Sequence, residues 1–328
     1  LQNEKGNLFF MKYIKRIAIH DAEQDHMPSK TFPNFTLMKI SAWHKKQGDS
    51  VEWFCAINKK NYDLVYSSKV FDFTPENEYL SEGTIKGGTG YGIYNKLPLE
   101  VDGMFPDYSI YPACDFAIGF LTRGCIRACD WCVVPKKEGN IKPYKSIREV
   151  VRHDTNKIVF MDNNVLACQH GIEQLKELAK TDYSVDFNQG LDIRLLTPEI
   201  AENLSQINWT RFIRFSCDSI SQIEYFERVM PLFKKYKWLS KISIYLLVRR
   251  DTHDAEFRLR TLYNLNKNFH FYPQSERNNG VEPSYAQKEF SERFTKGYSY
   301  RKESWQEYCI KRGFEERRYR IMSKTKRN

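Results

Sequence analysis

Apolar positions along this 328-residue chain fall in short runs separated by stretches of helical spacing. IKRIAIHD (14–21) predicts a strand ending near His20 and Asp21. PNFTLMKISAWHKKQGDSVEWF then puts Leu37, Ile40, Ser41 and Trp43 on a helix, closed at Gly48 before a second strand. YDLVYSSKVF (62–71) predicts a third. Elements of these lengths predict a small open parallel sheet with covering helices. IKGGTGYG (85–92) lacks the setting of a dinucleotide-binding loop and predicts a flexible turn. PLEVDGMFPDYSIYP (98–112), with its three prolines, predicts a linker.

The second half repeats one unit. Apolar runs at 116–121, KIVFMD (157–162), YSVDFNQ (183–189), RFIRFSCD (211–218), KISIYLLVRR (241–250) and FHFYP (269–273) predict six strands. Segments such as GIEQLKELAK and ISQIEYFERVMPLFKKY, apolar every three to four residues, lie between them. Six strand-helix units fit an open, partial (β/α)6 barrel of parallel strands, so the fold class is α/β. Residues 274–328 pattern as turn and helix. The expected division is a first domain over 11–110, a barrel over 111–273 and a helical extension over 274–328.

Composition narrows the setting. The chain is 41% apolar, with 22 Phe, 20 Tyr and 6 Trp, enough for a core. No apolar run approaches the ~18 residues of a membrane span, and the opening LQNEKGNLFFMKYIKR lacks the order of a secretory signal. Met11 reads as a natural start. A net charge of +10 favours an anionic partner. Between Lys288 and Arg327 stand 13 basic and 6 acidic residues, interleaved with Phe290, Phe294, Tyr298, Tyr300, Trp305, Tyr308, Phe314 and Tyr319. Basic groups meet phosphate and aromatic faces stack on bases, which points to nucleic acid. The competing reading makes these aromatics the buried faces of helices closing the barrel.

The chemistry concentrates in LTRGCIRACDWCVVP. Cys125, Cys129 and Cys132 have C-x3-C-x2-C spacing, three soft ligands within eight residues. No fourth Cys or His lies nearby, whereas structural zinc needs four ligands. Three thiolates on a four-cornered iron-sulphur cluster leave one iron open, a catalytic arrangement. The eight cysteines are not spaced as a disulfide scaffold, and the compact triad points to a reducing, cytoplasmic setting. In a barrel of this kind, functional loops lie beyond the carboxyl ends of the strands, where this loop falls.

The triad resembles the signature of the radical S-adenosylmethionine (radical SAM) superfamily. GCIRACDWCVVPKKEG is similar to the methylthiotransferase and cobalamin-domain branches, and 11–110 resembles their Rossmann-like amino-terminal domain. The resemblance implies a [4Fe-4S] cluster on Cys125, Cys129 and Cys132, with S-adenosylmethionine on the open iron and an external one-electron reductant. It implies that Trp131 shields a cluster edge and that Asp162, Asn163 or Asn164 in MDNN meets the methionyl amine. A plain turn is the other reading of MDNN. Asn188, on one face of its strand with Asp186, is costly to bury unless a ligand or partner satisfies it. Arg194 has two uses in reach, the methionyl carboxylate or a bridge to Asp192 or Asp186. Arg214 and Ser216 share a face near ribose or methionyl carboxylate, and Tyr245 falls where adenine is met. Cys168 and Cys217 read as core thiols.

The chain also departs from those branches. DHMPS (25–29) has neither the spacing nor the glycine of the Asp-x-His-x-x-Gly cobalamin loop, and His20, His26 and His44 read as surface or hydrogen-bonded residues. Cobalamin is therefore not favoured, although some members bind it without the histidine. Only Cys55 and Cys114 lie upstream, too few for an auxiliary cluster. The expected reaction is abstraction of hydrogen from a C–H bond of a nucleobase or nucleoside in RNA or DNA. The alternatives are a peptide or small-metabolite substrate, and a zinc-containing nucleic-acid-binding module without turnover.

Overall fold

A computed structural model describes residues 13–28, 32–277 and 281–313. The chain divides into two compact units, Leu1–Cys114 and Asp115–Asn328. Both are mixed α/β units built on parallel sheets.

In the first unit, β1 (Arg16–Asp21), β2 (Ser50–Trp53), β3 (Leu64–Ser68) and β4 (Ile85–Gly87) form one parallel sheet in the order β2-β1-β3-β4. Ile17, Ala18 and Ile19 are fully buried, as expected of a strand with neighbours on both edges. Helix α1 (Phe35–Lys46) begins where the Asn34 side chain accepts from the Leu37 N–H, an N-cap that satisfies an otherwise orphaned donor. Two readings from the pattern are corrected here. IKG is a strand, not part of a flexible turn: Ile85 pairs with Tyr66 and Gly87 with Ser68. Gly88 then turns away at φ +105°, where a Cβ would collide with the Lys69 carbonyl. Residues 98–112 fold onto α1 instead of linking. Val101 and Ile110 are buried, Lys39 pairs with Asp102 at 2.9 Å, and Asp107 accepts from Ser41 and Lys45 at 2.6 Å each.

In the second unit, β5 (Ala117–Gly119), β6 (Lys157–Phe160) and β7 (Ser184–Phe187) pair in parallel, as do β8 (Ile213–Ser216), β9 (Ile242–Val248) and β10 (His270–Ser275). An isolated parallel bridge, Leu191 to Phe215, joins the two groups. Helices α2 (Gln169–Leu178), α3 (Pro198–Gln206), α4 (Ile223–Lys235) and α5 (Thr252–Leu265) alternate with the strands. Side chains alternate between faces. Val185, Phe187, Ile213 and Phe215 enter the core, leaving Asp186, Arg214 and Ser216 half-buried on the other face.

After β10 the chain forms a helix at Tyr285–Glu289 and another at Trp305–Lys311, each opened by a capping box, Ser284 with Gln287 and Ser304 with Glu307. Phe290, Phe294, Tyr300, Trp305 and Tyr308 are buried against Leu246, Val248, Ala255 and Leu259. These aromatics are core, which removes them from base stacking; Tyr298 stays exposed. Phe314, Tyr319 and the basic residues from Arg317 onward lie outside the described residues. Among the described residues no helix is long and apolar enough to cross a membrane.

Candidate metal and cofactor site

The cysteine loop leaves β5 through Thr122–Arg123 and returns through Lys142–Pro143, which pair antiparallel and pin its base. Gly124 opens the loop at φ +86°, and a Cβ there would collide with the Asn140 carbonyl, so only glycine fits before Cys125. Arg123 holds Glu138 across the loop through two hydrogen bonds of 2.6 Å and lies over the Phe120 ring at 4.0 Å. The Cys125 N–H donates to the Gly139 carbonyl at 3.2 Å.

Asp162 anchors this base. Its carboxylate accepts from the N–H groups of Leu121 and Thr122 and from the Thr122 hydroxyl at 2.7 Å. Burial pushes its pKa up to about 6, with those hydrogen bonds pulling the other way. The expectation that Asp162 offers a free acceptor to a cofactor is corrected: the main chain before the loop occupies it.

The three thiols sit at graded depth, Cys125 and Cys129 half-buried and Cys132 exposed. Backbone N–H groups point at sulphur, Arg127 to Cys125 Sγ at 3.3 Å and Val134 to Cys132 Sγ at 3.5 Å. Burial, and then the charge of Cys132, pushes the Cys129 thiol up. No three Cys, His, Asp or Glu side chains among the described residues converge closely enough to hold a metal ion as they stand. The donor chemistry nonetheless fits a thiolate-held cluster: three free thiols on one loop, with amide donors turned toward two of them.

Beyond β6, Asn164 is 3% exposed. Its Nδ2 donates to Cys125 Sγ at 3.5 Å and to Asp192 Oδ2 at 3.2 Å, while its Oδ1 is buried with no partner. Asn163 is half-buried beside it. Arg194 makes its bridge to Asp192, at 2.6 and 3.0 Å. Trp131 packs under the Arg249 guanidinium at 4.1 Å, and Arg249 also reaches Asp130 at 3.2 Å. Thus Cys125, Asn164 and Arg194 lie in one connected network with Asp192. Other expected site residues are engaged elsewhere. Arg214 pairs with Asp186 across β7 and β8. The Tyr245 hydroxyl donates to the Asn188 carbonyl at 2.8 Å, and Asn188 Oδ1 accepts from Gln189. Ser216, half-buried at the end of β8, hydrogen-bonds Asp218. Arg127 was not legible as a site residue, and the DIR run put Asp192 beside Arg194, where spacing could say no more.

Cys217 is buried and pushed up to about 12 by that burial, and Cys168 is buried too. In the first unit, His20 hydrogen-bonds Ser67 and Asp25 at 2.8 Å each, and His44 hydrogen-bonds Asp49 and Tyr66. His26 is exposed.

No protein-family model matches the chain, and no curated protein matches it. Among solved structures, a cobalamin-dependent S-adenosylmethionine radical enzyme, OxsB, with aqua-cobalamin and S-adenosylmethionine bound, is similar over 88% of this chain and 56% of its own, at 12% identity and a TM-score of 0.48. The chain is similar to a radical SAM enzyme. Hexahistidine-tagged anSMEcpe with bound AdoMet is similar over 50% of this chain and 51% of its own, at 18% identity and a TM-score of 0.34. The chain spans about half the length of each.

Proposed function

We propose that this chain is a radical SAM enzyme, with a Rossmann-like first domain, a partial (β/α)6 barrel and a helical extension that packs on the barrel's fifth strand. One observation carries the reading. The three-thiol loop leaves the end of the first barrel strand beside a buried acceptor, Asn164 Oδ1, that the protein leaves unmatched. When bound, the [4Fe-4S] cluster and S-adenosylmethionine supply one-electron cleavage to a 5'-deoxyadenosyl radical that abstracts hydrogen from a C–H bond.

The residues then divide the work. Cys125, Cys129 and Cys132 hold the cluster as thiolates, and the Arg127 and Val134 N–H groups steady two of them. Asp162 holds the loop base. Asn164 offers its free oxygen to a donor on the cofactor, and Trp131 under Arg249 covers one side of the loop. A cytoplasmic setting with an external reductant suits such a centre. Cobalamin remains unfavoured for want of the histidine loop.

Anaerobic reconstitution tests this. About four irons per chain, a broad absorption near 400 nm and formation of 5'-deoxyadenosine are expected; stoichiometric zinc without iron would instead mark the zinc-containing binding module.

For the substrate, we propose a nucleobase or nucleoside in RNA or DNA, supported by the net charge of +10 and the basic run after Lys288. The burial of Phe290, Phe294, Tyr300, Trp305 and Tyr308 withdraws most of the stacking support and favours the second reading, a peptide or small metabolite. Charge reversal at Arg317, Arg318 and Arg320 separates them. Weaker binding to single-stranded RNA or DNA, with wild-type affinity falling as salt rises, supports the first; absent or insensitive binding at low salt supports the second.

A further inference from the structure

Asp192 follows β7, opens a short turn and is 7% exposed. Its two carboxylate oxygens collect donors from three separate segments. Oδ1 accepts from the Arg194 backbone N–H at 3.2 Å and Nε at 2.6 Å. Oδ2 accepts from Arg194 Nη2 at 3.0 Å, from Arg127 Nε at 3.0 Å and from Asn164 Nδ2 at 3.2 Å. Burial alone would raise this carboxyl, but Arg194 and Arg127 hold it below the usual carboxylate range. An ionised carboxylate only accepts hydrogen bonds, so the Asn164 atom facing it must be the NH2 group. That choice fixes the rest of the amide. The same NH2 reaches Cys125 Sγ, and Oδ1 is turned away, buried and without a partner.

Resting on the radical SAM reading, we propose that Asp192 is a positioning residue that sets the orientation of the Asn164 amide. It directs the amide's N–H to the cluster sulphur at Cys125 and its carbonyl oxygen toward a cationic or N–H donor on the bound cofactor. Through Arg127 it also ties the cysteine loop to the turn after the third barrel strand. The arrangement explains a feature that stability alone opposes. A buried amide oxygen without a partner is destabilising, and the fold retains it while satisfying the other end of the same group.

Asp192→Asn tests the relay, because an amide at 192 carries its own donors and no longer dictates which end of Asn164 faces it. The variant, in the full chain, is expected to assemble the wild-type iron content, since all three thiols remain. S-adenosylmethionine affinity is expected to fall on the order of tenfold, the equivalent of one hydrogen bond. Asn164→Leu, similar in shape, changing no charge and leaving the arginine pairs in place, is expected to lower affinity to the same extent and to move the cluster midpoint potential to a more negative value, because an N–H donor to sulphur favours the reduced cluster. Wild-type affinity in Asp192→Asn, with lowered thermal stability alone, would reduce Asp192 to a structural strut and overturn the proposal. So would an affinity loss in Asp192→Asn that Asn164→Leu does not reproduce, or a wild-type potential in Asn164→Leu. A wild-type chain that takes zinc instead of iron fails earlier, at the radical SAM reading itself, before any variant is compared.

Discussion

Residues 122–143 and residues 285–311 both set charged side chains among thiols or aromatic rings, and they fold in opposite senses. The cysteine loop is held at its base by the Asp162 hydrogen bonds and the Arg123–Glu138 pair and above it by Arg127–Asp192 and Arg249–Asp130, yet its three thiols remain half-buried or exposed. The later segment turns its aromatics inward. Trp305 lies 5.1 Å from Phe290 and 5.2 Å from Phe294, centroid to centroid, and its indole N–H donates to Thr252 at 2.9 Å. Its Ser304–Glu307 capping box and the Lys296–Glu292 pair face outward. A residue type that suits ligand binding identifies a site only where the fold leaves it reachable and incompletely matched. The loop meets that condition through its thiols and Asn164; the aromatic cluster does not.

The comparison breaks most sharply at Cys129. Replacement by Ala is expected to abolish iron loading and 5'-deoxyadenosine formation, while apo-protein melting changes little because this thiol is only half-buried. Wild-type iron content would return the loop to an ordinary turn. Next in size is Trp305→Ala, expected to cost about 3–5 kcal/mol in denaturant unfolding, as for a large buried aromatic. Weakened RNA or DNA binding with wild-type stability would put Trp305 at an interface instead.

Asp162 sharpens the contrast through pH. Its folded pKa, about 6, exceeds the ordinary carboxyl value of 3.8, so the fold binds this proton more tightly than the unfolded chain does. The associated stability is complete below about pH 4 and is lost as pH rises through 6, on the order of 3 kcal/mol in all. The stability difference between wild type and Asp162→Asn should fall across that window and be flat above it. A difference that rises with pH would mean that the hydrogen bonds to the carboxylate outweigh its burial. Smallest is a labelling contrast in the apo-protein at pH 8. Exposed Cys55 and Cys132 should react with a thiol reagent well before Cys217, which burial pushes up to about 12.

The chain's own pattern determined a good deal. All six strands predicted for the second unit form, five within their runs and the last, His270–Ser275, two residues past its run, because alternating or continuous apolar residues bounded by turns have few other ways to leave water. The triad stood out by spacing alone, since three thiols within eight residues seldom serve packing. The strand at Ile85–Gly87 escaped notice because three residues carry no periodicity and two glycines follow the isoleucine and lysine.

Only tertiary structure decided which polar groups were already matched. Asp162 and Asn164 are two residues apart in one motif and equivalent to any local rule. One closes on Leu121 and Thr122, and the other keeps a buried oxygen without a partner. Asp192 joins Arg127 across 65 positions and Asn164 across 28. Periodicity, propensity and motif spacing act over a few residues. Burial and hydrogen-bond satisfaction depend on which distant segments meet, and here those meetings separate the residues that hold the loop from the one whose buried oxygen has no partner.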